Sequence, residues 1–145
     1  MKEKFILITE LIQYKHPYYK ASESFKESLE DFDPKQKQII ISKIHEFKRL
    51  KTLNPQDLIP SANWKDHALR GPKLGDYYDA HLIYGQICLI YYHGGRYILL
   101  LDIVPHSVLT STNKINSLNI QLNNITPPLK KYVESKLAYW DHINS

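Results

Sequence analysis

The spacing of apolar residues along this chain changes from helical to stranded and back again. Phe25, Leu29 and Phe32 fall at i, i+4 and i+7, behind Ser24 and Glu27. That Ser-x-x-Glu spacing lets a hydroxyl and a carboxylate each satisfy an amide that the first helical turn leaves unpaired, so a short amphipathic helix is expected from Ser24 to about Asp31. Asp33 and Pro34 stop it and open the next: Asp33 accepts from the first turn, and Pro34 suits a position whose N–H would be unpaired anyway. Ile40, Ile44, Phe47 and Leu50 then form one stripe, carrying this helix to about Lys51.

From Tyr77 the period shortens. Tyr78 to Tyr84, Gln86 to Tyr92 and Arg96 to Val104 are rich in β-branched, aromatic and aliphatic residues, and Gly85 and Gly94-Gly95 separate them. Gly-Gly signals a two-residue hairpin because both positions accept positive φ. Three antiparallel strands in a meander are expected, the last two apolar on both faces and so covered on both sides. The Asn-rich stretch Ser117 to Thr126 reads as a linker or loop. Beyond it Thr126 caps and Pro127 opens a final helix lined by Leu129, Val133, Leu137 and Trp140. At the other end, Phe5, Ile8, Leu11 and Ile12 share a helical face. The expected class is α+β: a small antiparallel β-sheet meander, two N-terminal helices packed on one face, and an extra C-terminal helix.

Composition narrows the partners more than the fold. A chain of 145 residues has the length of one domain, expected over 1–145. Cys88 is the only cysteine, which excludes an internal disulfide and a Cys-based zinc site and fits a reducing cytoplasm; in an apolar run it reads as a buried core residue. Phe5 to Ile12 follows Lys2 and Lys4 as a signal peptide would, but Glu10 interrupts it and no small-residue cleavage site follows. Nothing approaches the roughly 20 apolar residues that span a bilayer. The net charge of +4 and a pI near 9.0 suit a nucleic-acid partner only weakly. Residues 64–111 carry 4 Lys/Arg against 4 Asp/Glu, so the positive charge is not concentrated there.

Of seven histidines, His16, His45, His93 and His142 read as surface or helix-side residues. His67 enters the sheet, His81 lies mid-strand and His106 follows Pro105 directly after the last strand. The first and third strands of a meander flank the second and run the same way, so His81 and His106 meet only if their side chains share a face. Parity leaves this open because Pro105 can interrupt the pleat. A strand histidine is often a satisfied core residue, and that reading stands beside the functional one. No HExxH, paired-Cys or close His/Asp ligand set is present, so a zinc site made from these three histidines stands as an unsupported alternative and no metal and no cofactor are assigned. A nucleophile elbow is absent as well.

The segments Trp64-Lys65-Asp66-His67-Ala68-Leu69-Arg70-Gly71, Asp76-Tyr77-Tyr78-Asp79-Ala80-His81, Ile87 to Tyr92 and Val104-Pro105-His106-Ser107-Val108-Leu109 resemble the C-terminal half of YafQ-type toxins in the RelE superfamily. Tyr18 to Ser22, followed by Phe25 and Leu29, is similar to that family's opening strand and first helix. The resemblance covers roughly 17–110 and leaves 1–16 and 112–145 as extensions. It implies a RelE-like sheet with helices on one side, and cleavage of messenger RNA, usually on the ribosome, neutralised by a cognate antitoxin. It assigns catalysis to His67, His81 and His106. This chain departs from the pattern at Gly85, where the family often carries an acid, and at Tyr78, where it often carries a base.

Metal-free RNA scission needs a base for the 2′-hydroxyl, an acid for the departing 5′-oxygen and donors for the phosphorane. Imidazole suits the first two because its pKa, about 6.5, populates both protonation states near neutrality. On this reading His67 and His81 share the base and stabilising roles, His106 is the acid, Lys65 and Arg70 hold phosphate, and Asp66 and Asp79 orient imidazoles. Tyr77, Tyr78, Tyr84, Tyr91 and Tyr92 offer faces for unpaired bases, or pair as strand aromatics. The rival reading is a non-catalytic protein on the same fold, acting by binding as gyrase inhibitors of the ParE kind do, or repurposed with its C-terminal helix over the site.

Overall fold

A computed structural model describes residues 17–55, 57–69 and 77–144. The expected N-terminal helix Phe5 to Ile12 and the candidate phosphate ligand Arg70 lie outside these residues. Strand β1 (Tyr18–Ala21) leads into α1 (Glu23–Glu30) and α2 (Pro34–Leu53). Strands β2 (His67–Ala68), β3 (Tyr77–Ile83), β4 (Ile87–His93) and β5 (Tyr97–Pro105) follow, then α3 (His106–Thr110) and α4 (Thr112–Asn144). They form one five-stranded mixed sheet in the order β1-β5-β4-β3-β2, with β1 parallel to β5 and the other pairs antiparallel. The meander strands lie within one residue or so of the expected bounds, and β1 and β2 extend the sheet at its two edges.

The sheet is covered on both faces, as its doubly apolar strands require. On one, Phe25 of α1 and Ile40, Ile44 and Phe47 of α2 pack on Ala80, Leu82, Leu89, Tyr91, Ile98, Leu100 and Ile103. On the other, Leu118, Leu122 and Val133 of α4 pack on Tyr77, Cys88, Ile90, Tyr97, Leu99, Leu101 and Val104. Among the described residues no helix is long and apolar enough to cross a membrane.

Three local expectations are corrected. The cap of α1 is Ser22, not Ser24: its Oγ accepts from Phe25 N at 3.0 Å and also donates to Leu101 O, so a tertiary contact chooses between two serines of equal propensity. Asp33 and Pro34 open α2 as expected, Asp33 accepting from Gln36 N at 2.9 Å. Of Gly85, Gly94 and Gly95, only Gly85 has positive φ, at 70°. Gly94 is needed for space, because a Cβ there would meet the Tyr97 ring at 2.4 Å.

The third correction concerns Ser117 to Thr126, which is helix rather than linker. α4 runs unbroken through Pro127 and Pro128. Each interior proline removes a donor and costs roughly 3 kcal/mol. Burial of Leu118, Leu122 and Val133 works against that cost at roughly 1.5–3 kcal/mol per side chain. The Tyr77 hydroxyl lies 3.3 Å from Leu122 O and 3.1 Å from Thr126 Oγ1, so the sheet ties down the turn that precedes the prolines. Trp140, expected on the packed side, is 47% exposed.

Candidate active site

Register decides which side chains meet. His67 pairs directly with Asp79 across β2 and β3, and His81 pairs with Cys88 across β3 and β4. Asp79 and His81 are two apart on β3, so both point to the face shared by Tyr77 and Cys88. A bulge between His81 and Ile83 makes this so: the register Ile83↔Ile87, continued regularly, would oppose His81 to Leu89, which packs on the α2 face. A second bulge, between Ile90 and Tyr91 on β4 and opposite Leu101 on β5, puts Val104 on the Cys88 face. Helix α3 then begins at His106, whose N–H donates to Gln86 O at 2.8 Å. The His81 and His106 rings lie 5.1 Å apart, edge to face.

The hydrogen bonds fix the tautomers. His67 Nδ1 lies against Lys65 O, which can only accept, so Nδ1 carries a proton. His67 Nε2 is 2.9 Å from Asp79 Oδ1, too close for two lone pairs, so a second proton is shared by the pair. The contact is poorly aligned, and neither Asp79 oxygen has a hydrogen-bond partner of good geometry although the residue is 1% exposed. Burial accordingly pushes the Asp79 carboxyl up from 3.8 to about 6, against the pull of His67 and with a smaller push from Asp66. His81 Nδ1 accepts from the Gly85 amide at 3.0 Å, leaving the proton of the neutral ring on Nε2, 3.9 Å from Asp79 Oδ2. Burial, then the cationic forms of His106, Lys65 and His67, hold His81 below its ordinary value. The His106 ring makes no hydrogen bond among the described residues and is half-buried.

Asp79, His81 and Cys88 also form the one group among the described residues whose ligand atoms lie within 4.8 Å of one another. The donor set could serve a soft divalent metal. Burial, with Asp79 adding to it, pushes the Cys88 thiol up to about 12, and coordination by either nitrogen of His81 would displace the Gly85 bond or the Nε2 proton.

The two aspartates part company. Asp66 faces α2, where it meets Lys51 Nζ at 2.7 Å, accepts from Ile59 N at 2.8 Å and receives the Tyr91 hydroxyl. None of its contacts is with His67, His81 or His106, because it lies on the opposite side of the sheet from Asp79; among the described residues the orienting contact is that of Asp79. Lys65 is exposed, has φ 42°, the one positive value at a non-glycine among the described residues, and holds its Nζ 5.2 Å from the Tyr84 ring centroid. Tyr77 and Tyr97 are tied to α4, and Tyr78 and Tyr91 stack over the α2 face. Sequence reasoning missed the Gly85 amide and the Cys88 neighbour, which follow from the turn conformation and the bulge and not from residue types.

No family model matches the chain, and no curated protein does. Among solved structures, a chain of the E. coli DinJ-YafQ toxin-antitoxin complex superposes with a TM-score of 0.52 at 21% identity, covering 66% of this chain and 99% of that one. YafQ from E. coli strain BL21(DE3) gives 0.50 at 20% identity, covering 66% of this chain and all of the other (100%). Likeness at that identity speaks for architecture alone: this chain has the α+β fold seen in these YafQ structures, with an extra C-terminal helix laid across its sheet.

Proposed function

We propose that this protein is a toxin-like endoribonuclease that cleaves messenger RNA by histidine acid–base catalysis and is held in check by a cognate antitoxin in the cytoplasm. The observation that carries the reading is the convergence of His67, Asp79, His81 and His106 at one end of the sheet. Each residue has a distinct set of neighbours and takes a distinct role. With its shared proton removed, the Asp79–His67 pair leaves a lone pair beside a carboxylate, which makes it a strong acceptor for the 2′-hydroxyl proton; the His67 side chain is 47% exposed and reachable. His81 keeps Nε2–H and donates to the phosphorane. His106, unencumbered by hydrogen bonds, protonates the departing 5′-oxygen. Lys65 and Arg70 hold the phosphates, and the whole chain acts as one domain.

The test is cleavage of RNA by the purified protein in chelator, with and without translating ribosomes. His106→Ala and His81→Ala should each lose about 10²- to 10⁴-fold in kcat. Undiminished cleavage in both variants would refute the site, and loss of wild-type activity in chelator would favour a metal enzyme. One observation favours a second reading, a binding protein on the same fold: α4 covers the sheet face next to the imidazoles. Growth inhibition that survives His67→Ala/His81→Ala/His106→Ala, with altered DNA supercoiling, would select it.

A further inference from the structure

The covering of the sheet leaves one aromatic ring in an unusual position. Tyr77 and Tyr97 spend their hydroxyls on α4, and Tyr92 lies beneath Lys130 of the same helix. Tyr84 is the exception: it stands 56% exposed at the β3–β4 turn, with its ring 5.8 Å from the His81 ring and tilted 50° to it. The turn is braced by Gln86 N donating to Ile83 O at 2.9 Å and by the left-handed Gly85, whose amide holds His81. An exposed tyrosine is therefore presented on a rigid turn against a buried imidazole.

Lys65 completes the arrangement from β2's side. Its Nζ sits 5.2 Å from the centroid of the exposed Tyr84 ring, a cation–π contact at the edge of the histidine cluster. Its backbone takes a conformation that a side chain with a Cβ disfavours, and the same residue's carbonyl fixes His67. One strained residue thus aims a carbonyl at the catalytic dyad and an ammonium at the aromatic platform.

We propose that Tyr84 and Lys65 form a subsite for one unpaired nucleotide of single-stranded RNA, the base stacking on Tyr84 and the adjoining phosphate taken by Lys65. This rests on the nuclease reading and names its substrate class. With α4 across the sheet, RNA engages at this rim as a single strand whose bases are splayed; a duplex keeps its bases inside and offers Tyr84 nothing to stack. The subsite reads a π-face, so it accepts any base and discriminates by strandedness.

The experiment uses the full chain and a fluorescent single-stranded oligoribonucleotide carrying 2′-O-methyl groups, so binding is read apart from cleavage. Tyr84→Ala should weaken Kd and raise KM for an unmodified oligonucleotide by roughly 5- to 150-fold, with kcat far less affected. Tyr84→Phe, which keeps the ring, should recover the affinity. In an abasic scan, one position should cost the wild type that same factor and cost Tyr84→Ala nothing. If the wild type cleaves RNA but no abasic position couples to Tyr84, or Tyr84→Phe binds as poorly as Tyr84→Ala, the subsite is refuted and the nuclease reading stands. If the wild type neither binds nor cleaves single-stranded RNA, with or without ribosomes, both fall together.

Discussion

Replacing Asp79 by Asn should stabilise the fold while removing activity, and the two effects follow from the same buried carboxylate. Its carboxyl rises from 3.8 to about 6 because burial outweighs the attraction of His67. A rise of about two units at about 1.4 kcal/mol each amounts to about 3 kcal/mol. The sign follows from proton counts. Below the unfolded value both states hold the proton, and the group costs the fold nothing. As pH rises toward 6 the unfolded chain releases its proton first, so stability falls, and above about 6 the full cost of burying a carboxylate is present. Asn matches protonated Asp in shape, never ionises, and can donate its amide to the His67 Nε2 lone pair. Urea unfolding followed by circular dichroism from pH 4 to pH 8 should show the two proteins within about 1 kcal/mol of each other at pH 4 and Asp79→Asn more stable by up to about 3 kcal/mol at pH 8. Titrating groups that do not face Asp79 cancel in the difference, and repeating the comparison in a His67→Ala background removes the nearest one that does. The variant should also lose about 100-fold or more in kcat, having lost the acceptor that drives the base. A stability difference that does not change with pH, or one that favours the wild type at pH 8, would refute the reasoning.

Wild-type cleavage should fall as pH drops through about 6, where Asp79 takes up a proton and no longer supports His67 with a carboxylate; a rate flat from pH 5 to 7 at saturating RNA would contradict that role for Asp79. Lys51→Met should cost roughly 3–5 kcal/mol in chemical denaturation, because it leaves Asp66 charged and unpaired in the core beneath the sheet, and Lys51→Met/Asp66→Asn should regain much of that loss. Leu122→Ala should cost roughly 2–5 kcal/mol if α4 is part of the core, whereas a change below about 1 kcal/mol would mean the helix is a loosely held cover.

Periodicity and turn chemistry reach far in this chain. Helical spacing located α1 and α2, Asp33-Pro34 marked the start of α2, and the glycines at 85 and 94–95 bounded the three central strands, because these are local preferences that hold wherever the segment ends up. Residue types also picked out His67, His81 and His106, since few side chains change protonation near neutrality. Long-range packing settled what local preference could not. Ser22 and Ser24 are equivalent as caps until Leu101 O selects one. The Asn-rich stretch before Pro127 has loop propensity, yet it is helical because Leu118 and Leu122 bury on the sheet and Tyr77 holds the turn before the prolines. Most consequential are the two bulges, each a single unpaired residue with no signature in composition, which turn His81 toward Cys88 and put Val104 on the same face. A one-residue change of register reverses every side chain beyond it, so whether the imidazoles share a face depends on pairing geometry and not on any property of the histidines.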